Sequence, residues 1–241
     1  MTTTPPPVLA VQDDPTRNRR SVGRTALLGL ALFLVSIGTF APESAPDPGT
    51  ASAADVRRFA INNAGTLQVN TLAALASLPL LVMFVVVLAQ QVRQVQPWSI
   101  GPQVMVCLVG VVATQGLFVT ATSSIFALPD QLAAVTDQAA VTLYEVTAVA
   151  QWLYTLTVLV PCMALVATYS WLALRGRLLA RWICWAGFTM ATVGAVTAVI
   201  LMIPAIQFDA FVLPLFGWWL WPAMIGSASA VRWWRSRQLA V

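Results

Sequence analysis

The sequence predicts an all-α polytopic membrane protein, a bundle of six transmembrane helices with both termini cytoplasmic. Three observations predict it. The chain is 59% hydrophobic and only 9% charged, against about 25% charged in an ordinary soluble domain. Apolar runs of about 20 residues, each long enough to cross a bilayer, recur along it. And the arginines alternate in density between the connections that follow successive runs, which is how a threaded chain records its orientation.

The first 24 residues, MTTTPPPVLAVQDDPTRNRRSVGR, are rich in proline and threonine, then basic. With little apolar surface to bury, they are expected to be a disordered cytoplasmic tail. Residues 25–41, TALLGLALFLVSIGTFA, resemble a secretory signal behind its arginines. Pro42 follows the nearest small-residue site, and the ASA at 51–53 lies too far downstream for cleavage. The run therefore reads as a retained first span. An outer loop over 42–66 contains Ser52 and, three residues on, Asp55. That spacing predicts a capping box opening a short interfacial helix.

The remaining spans are predicted at about 67–89, 101–127, 143–174, 182–203 and 214–234, which sets the transmembrane domain at 25–235. Pro79 and Pro161 should kink the second and fourth, and Pro214 suits the first turn of the sixth. With the N-terminus inside, the inner segments carry Arg17, Arg19, Arg20, Arg24, Arg93, Arg175, Arg177, Arg181, Arg232, Arg235 and Arg237. Only Arg57 and Arg58 fall outside. Eleven arginines against two predict the orientation, with both termini on the cytoplasmic side of the membrane.

Small residues four apart mark where such helices approach closely: Gly187, Ala191 and Ala195, with Gly194 and Ala198 alongside; Ala223 with Ser227; Gly226 with Ala230; and Ala73 with Ser77. Six spans supply enough neighbours for these stripes to be used within the chain. Of the ten tryptophans, Trp98, Trp171, Trp182, Trp185, Trp233 and Trp234 adjoin inner arginines and read as an interfacial belt. Trp218 and Trp219 belong to the opposite interface, and Trp221 is left over at depth.

There is no histidine and no lysine. That excludes a Ser-His pair, an imidazole metal ligand, a phosphate-loop lysine and a Schiff base. Cys107, Cys162 and Cys184 lie in apolar runs without close spacing and read as small hydrophobes. No metal site or cofactor is expected, and no catalytic constellation is present, so the chain is not expected to be an enzyme. The basic balance, with an isoelectric point near 9.5, is accounted for by topology and points to anionic lipid headgroups at the inner face. Nucleic acid is not an expected partner, whereas a protein partner in the membrane is.

The polar residues within spans are the remaining candidates. Glu145 either binds a proton or cation at the outer end of the fourth span or, with Thr142, forms a Thr-x-x-Glu capping box, the reading its spacing favours. Gln115, Gln151, Gln68 and Asn70 serve either as interhelical hydrogen bonders or as the lining of an outward-facing cavity. Glu145, Gln115, Gln151 and Trp221 are thus the candidate polar site. A carboxylate-dependent membrane enzyme would need Asp137 or Asp209 brought beside Glu145, within about 10 Å.

At YSWLALRGRLLARWICWAGF, a long fourth span, a short Leu/Arg connection and an aromatic-rich fifth span follow one another. This layout, over roughly Thr25 to Arg237, resembles uncharacterised six-span bacterial membrane proteins, especially those of GC-rich actinobacteria. That resemblance implies a membrane location and no activity. The expectation is a non-enzymatic accessory or interaction subunit of the envelope; the alternative is a small permease built on the candidate polar site.

Overall fold

A computed structural model describes residues 15–37, 45–201 and 212–238. Side chains are described within these ranges except at 15–19, 151–158, 198, 201 and 212–219. The described residues are helical, with no strand. Helix α1 is Pro15–Ile37, α2 Ala53–Asn62, α3 Ala64–Val95 and α4 Gly101–Ser123. A 3-10 turn at Ser124–Ala127 leads to α5, Pro129–Ala134; then come α6, Asp137–Arg175, α7, Arg181–Leu201, and α8, Val212–Gln238.

Three helical stretches are long and apolar enough to cross a membrane: Arg20–Ile37, Ala64–Val95 and Gly101–Ala127. Their hydroxyls are satisfied at home. Thr25, Ser36, Thr71, Thr114, Thr120 and Ser123 donate to the carbonyl one turn back on their own helix. Such back-bonding lets a polar side chain sit in an apolar setting without a partner helix.

Several boundaries differ from those the sequence predicts. Residues 15–24, read as disordered tail, form the opening turns of α1. Pro15 suits a first turn because its missing N–H is not needed there, and the helix is held by neighbours rather than by its own propensity. The stretch LPDQLAAVTDQAAV, read as a polar connection, holds α5 and the first turns of α6. Thr136 caps α6, its Oγ1 accepting from Ala139 N at 3.3 Å. Thr142 is therefore inside the helix and Glu145 is not part of a cap. Thr136, with extended backbone (φ −64°, ψ 159°), is the N-cap, and the helix is already under way at Thr142. The predicted box at Ser52 and Asp55 is present in both directions. The connection centred on 202–211 lies outside the described residues.

Pairing follows the small residues. A Cβ at Gly29 of α1 would stand 2.6 Å from Pro222 O and 3.0 Å from Gly226 Cα, so α1 and α8 cross backbone to backbone. A Cβ at Gly187 would run into Ser170, and one at Gly194 into Met163, so α7 lies antiparallel on α6. Ala195, from the same stripe, is exposed. Between these pairs the core is built on Trp221, whose ring meets Phe84 of α3 and Tyr169 of α6 edge-on, both at 5.8 Å. Cys162 and Cys184 are buried in it, but Cys107 is exposed, facing away from the bundle on α4.

The α6–α7 turn carries one strained residue. Arg177 has φ 52° and closes a Schellman-type end, with Leu178 N donating to Ala173 O at 2.9 Å. Glycine would suit this position, but it is spent one residue earlier. A Cβ at Gly176 would lie 3.2 Å from Gln96 Nε2, Leu172 O and Val95 Cγ1.

Gly29→Ala should lower stability by about 1–3 kcal/mol, because its Cβ meets backbone that cannot rotate away. Gly110→Ala, with nothing within 4 Å, should be neutral or stabilising by up to about 1 kcal/mol. Thermal unfolding of the two purified variants in detergent checks both; equal midpoints would remove the α1–α8 crossing as a constraint.

Candidate functional site

The bundle has two chemically distinct ends. At one, the start of α1 lies beside the end of α3, where Gln91 Nε2 donates to Ser21 Oγ at 3.1 Å and Thr25 Oγ1 at 2.8 Å. The end of α3 meets the end of α6 through Gln96 Nε2 and Leu172 O at 3.1 Å. Gly101, opening α4, packs on Leu172, and Arg232 of α8 donates to Leu178 O in the α6–α7 turn. Every described arginine except Arg57 and Arg58 lies in these converging segments. So do Trp98, Trp171, Trp182, Trp185, Trp233 and Trp234, with Trp98 98% exposed. Arg175 covers the Trp171 ring at 4.1 Å and Arg237 the Trp233 ring at 4.0 Å, contacts that hold a cation and an aromatic at one level.

The other end is a small cap with its own core. Val56 and Ala60 of α2, Phe126 of the 3-10 turn, Leu132 of α5, and Ala140 and Tyr144 of α6 are buried together. Phe59 and Phe126 both meet the Tyr144 ring edge-on, and the Tyr144 hydroxyl donates to Pro46 O at 2.5 Å. Arg57 ties α2 to α6, pairing with Asp137 and donating to Val135 O at 2.7 Å. The described carboxylates, Asp47, Asp55, Asp130, Asp137 and Glu145, all belong to this end.

Two of the four candidate residues, Gln115 and Glu145, stand at different levels of the bundle. Thr147 Oγ1 donates to Thr122 O at 3.2 Å, which sets the register of antiparallel α4 and α6. Gln115 is seven residues along α4 from that point and Glu145 two residues the opposite way along α6. They are therefore about 13 Å apart along the bundle axis. Gln115 is half-buried and Glu145 exposed; neither bonds a described side chain. Gln151 is within α6, but its side chain lies outside the described residues. Trp221 is 2% exposed, a core residue and not the wall of a cleft.

Asp137 is eight residues before Glu145 on α6, about 12 Å away by helical rise, and is engaged by Arg57. Asp209 lies outside the described residues. A paired-carboxylate site is therefore not formed by Glu145 and Asp137. Of the other polar candidates, Asn70 is half-buried on α3, and Gln68 donates to Ala127 O at 3.1 Å and so fastens α3 to the cap.

The cavity that is present is at the arginine end. About 480 Å³ lies between α1 and α3, lined by Arg20, Ser21, Arg24, Gln90, Arg93 and Gln94. A second, about 390 Å³, is a groove along the last turns of α8, from Ala230 to Gln238. The first was within reach of the sequence. Arg20 and Arg24 are four apart, and Gln90, Arg93 and Gln94 fall at helical spacing, so each set shares a face. Reading 1–24 as disordered hid the first set.

The cap should respond to acid. A hydrogen bond from the Ser52 hydroxyl, then one from the Ser52 backbone N–H, hold the Asp55 carboxyl below its ordinary value. A lowered carboxylate contributes stability fully above its unfolded pKa, about pH 4, and loses it as pH falls through the folded value. Amide exchange in the first turn of α2 should accelerate below about pH 4 by more than the intrinsic rate change. Asp55→Asn should abolish that excess; an unchanged profile would mean the box is not holding the helix.

Compared with family models, with curated proteins and with solved structures, the chain matches none.

Proposed function

We propose that the chain is a six-span protein of a bacterial cytoplasmic membrane, with both termini inside, acting as a non-enzymatic accessory or interaction subunit of the cell envelope. The observation that carries the membrane reading is the division of charge between the two ends of one bundle. Arginine and tryptophan gather at one end and carboxylates at the other, with apolar side chains outermost between them. Leu27 is 71% exposed, Leu72 67% and Val199 64%, a surface suited to lipid. By the positive-inside rule the arginine end is cytoplasmic.

Beside the three apolar helices already described, α6, α7 and α8 hold 39, 21 and 27 residues. At helical rise these reach about 58, 31 and 40 Å, and a hydrocarbon core is about 30 Å thick. The contact of α1 with α8 at Gly29 supports a retained first span, since removing it would uncover Pro222 and Gly226.

Length also bears on Glu145. It is 27 residues before Leu172, about 40 Å along α6, and so stands outside a core measured from the arginine end. That takes from Glu145 the significance an intramembrane carboxylate would have. Gln115 stands on a different level from Glu145 and Trp221 is packed in the core, which weighs against a permease built on those three. An accessory role is the reading left by chemistry that does not converge.

Two measurements test this. In a background with the three native cysteines replaced, Ser52→Cys should react with an impermeant maleimide on intact cells, and Arg177→Cys only after permeabilisation. The reverse pattern overturns the orientation. Proteoliposomes holding the purified chain should leak amino acids, sugars and monovalent cations no faster than protein-free vesicles. A solute flux that falls in Gln115→Leu or Glu145→Gln would sink the accessory reading and establish the permease.

A further inference from the structure

We infer that the cleft between α1 and α3 is a binding site for the phosphate of an anionic lipid headgroup. Three guanidinium groups, Arg20, Arg24 and Arg93, line it. No described carboxylate pairs with any of them, since the ion pairs of the described residues are both at the cap. Among the described residues these three like charges are uncompensated; on packed helices they repel one another, and an anion between them removes that repulsion while accepting their N–H groups.

The rest of the lining is neutral and able to donate. Ser21 Oγ accepts from Gln91, which leaves its own proton free for an anion, and Gln90 and Gln94 add amide donors. Gln91 also bonds Thr25, so the two walls are stitched together just beneath the charges. The walls of the cleft are thus set before any ligand arrives, which lowers the ordering cost of binding.

What lies below the arginines chooses between a lipid and a free phosphate. The exposed stripe of α1 runs Arg20, Arg24, Leu27, Leu30, Leu34, Ile37, spaced three or four apart along one face. On α3 the exposed residues below Gln90 include Met83 and Leu75. A polar cleft continued by an apolar track fits an amphipath with a phosphate head and acyl tails. Soluble phosphate would use only the top of it.

The choice of a lipid rests on the membrane reading above; the anion site itself does not. The full chain, purified and placed in phosphatidylcholine nanodiscs, is titrated with fluorescent phosphatidylglycerol, with inorganic phosphate as competitor. Arg20→Gln and Arg93→Gln should each weaken binding about fivefold. Arg181→Gln, exposed at the same end but outside the cleft, should change it less than twofold. Equal losses in all three variants would mean diffuse attraction and overturn the site. Binding of inorganic phosphate in detergent with the same arginine dependence, and no lipid preference in nanodiscs, would overturn the lipid assignment. A chain that does not enter nanodiscs refutes the membrane reading, and the detergent titration then decides the anion site alone. Since all three arginines are exposed, the variants should keep the parent's tryptophan emission spectrum.

Discussion

Leucine and valine cover the outside of this bundle, so hiding leucine and valine cannot be what holds it together. In hydrocarbon the surroundings of an apolar side chain are much the same whether it faces lipid or another helix, and the difference must come from how closely backbones approach. The structure is organised around that constraint. Gly29 and Gly226 bring α1 onto α8, Gly187 and Gly194 bring α7 onto α6, and Gly101 admits the Leu172 side chain at the start of α4. Each glycine is placed where a Cβ would meet an atom of the neighbour, whereas Gly65 and Gly110, which face nothing, have no such role. Between these approaches, leucine and valine pack around Phe84, Tyr169 and Trp221 at the centre, while other leucines and valines face outward.

A second constraint acts along the axis. Charge is excluded from the middle, so the charged residues have to be useful at the ends, and the two ends use them differently. At the cap, charges are consumed in structure: Arg57 is engaged by Asp137 and the Val135 carbonyl, and Asp55 closes its own helix. These contacts, with a small aromatic core, turn a short outer loop and a connection into one folded unit. At the opposite end arginines outnumber any described acid, and only some are spent on aromatic faces or on the Leu178 carbonyl. The cap is therefore electrostatically closed and the arginine end is open. This is why a cavity with convergent polar groups is found there.

Much of the fold was legible because it rests on local rules. The start of α4 at Gly101 and the Ser52–Asp55 box each follow from residues a few positions apart. What failed depended on contacts distant in sequence. Residues 15–24 look unstructured alone but fold against α3 and α8, through pairs such as Ser21 with Gln91, 70 residues apart. Glu145 looks like a cap until an earlier threonine takes that role. Cys107 looks buried by composition, but an apolar run in a helix at the edge of the bundle has two faces, and hydropathy does not distinguish them. For the candidate site, a list of polar residues within spans carries no information about their level or direction.

Trp221 shows how the same residue changes meaning with its neighbours. By position it is the tryptophan that neither interface accounts for, and a buried indole between proline and leucine invites a ligand. In the fold it is wedged between Phe84 and Tyr169 with both rings edge-on, an arrangement that satisfies the ring quadrupoles against each other. It thereby joins α3, α6 and α8 at the one place where three helices need a side chain large enough to touch them all. A path for a solute past this level of the bundle would have to displace that ring. The packing that makes α8 part of the bundle is thus the same packing that fills its centre around Trp221, where Phe84 and Tyr169 close on the indole from two other helices.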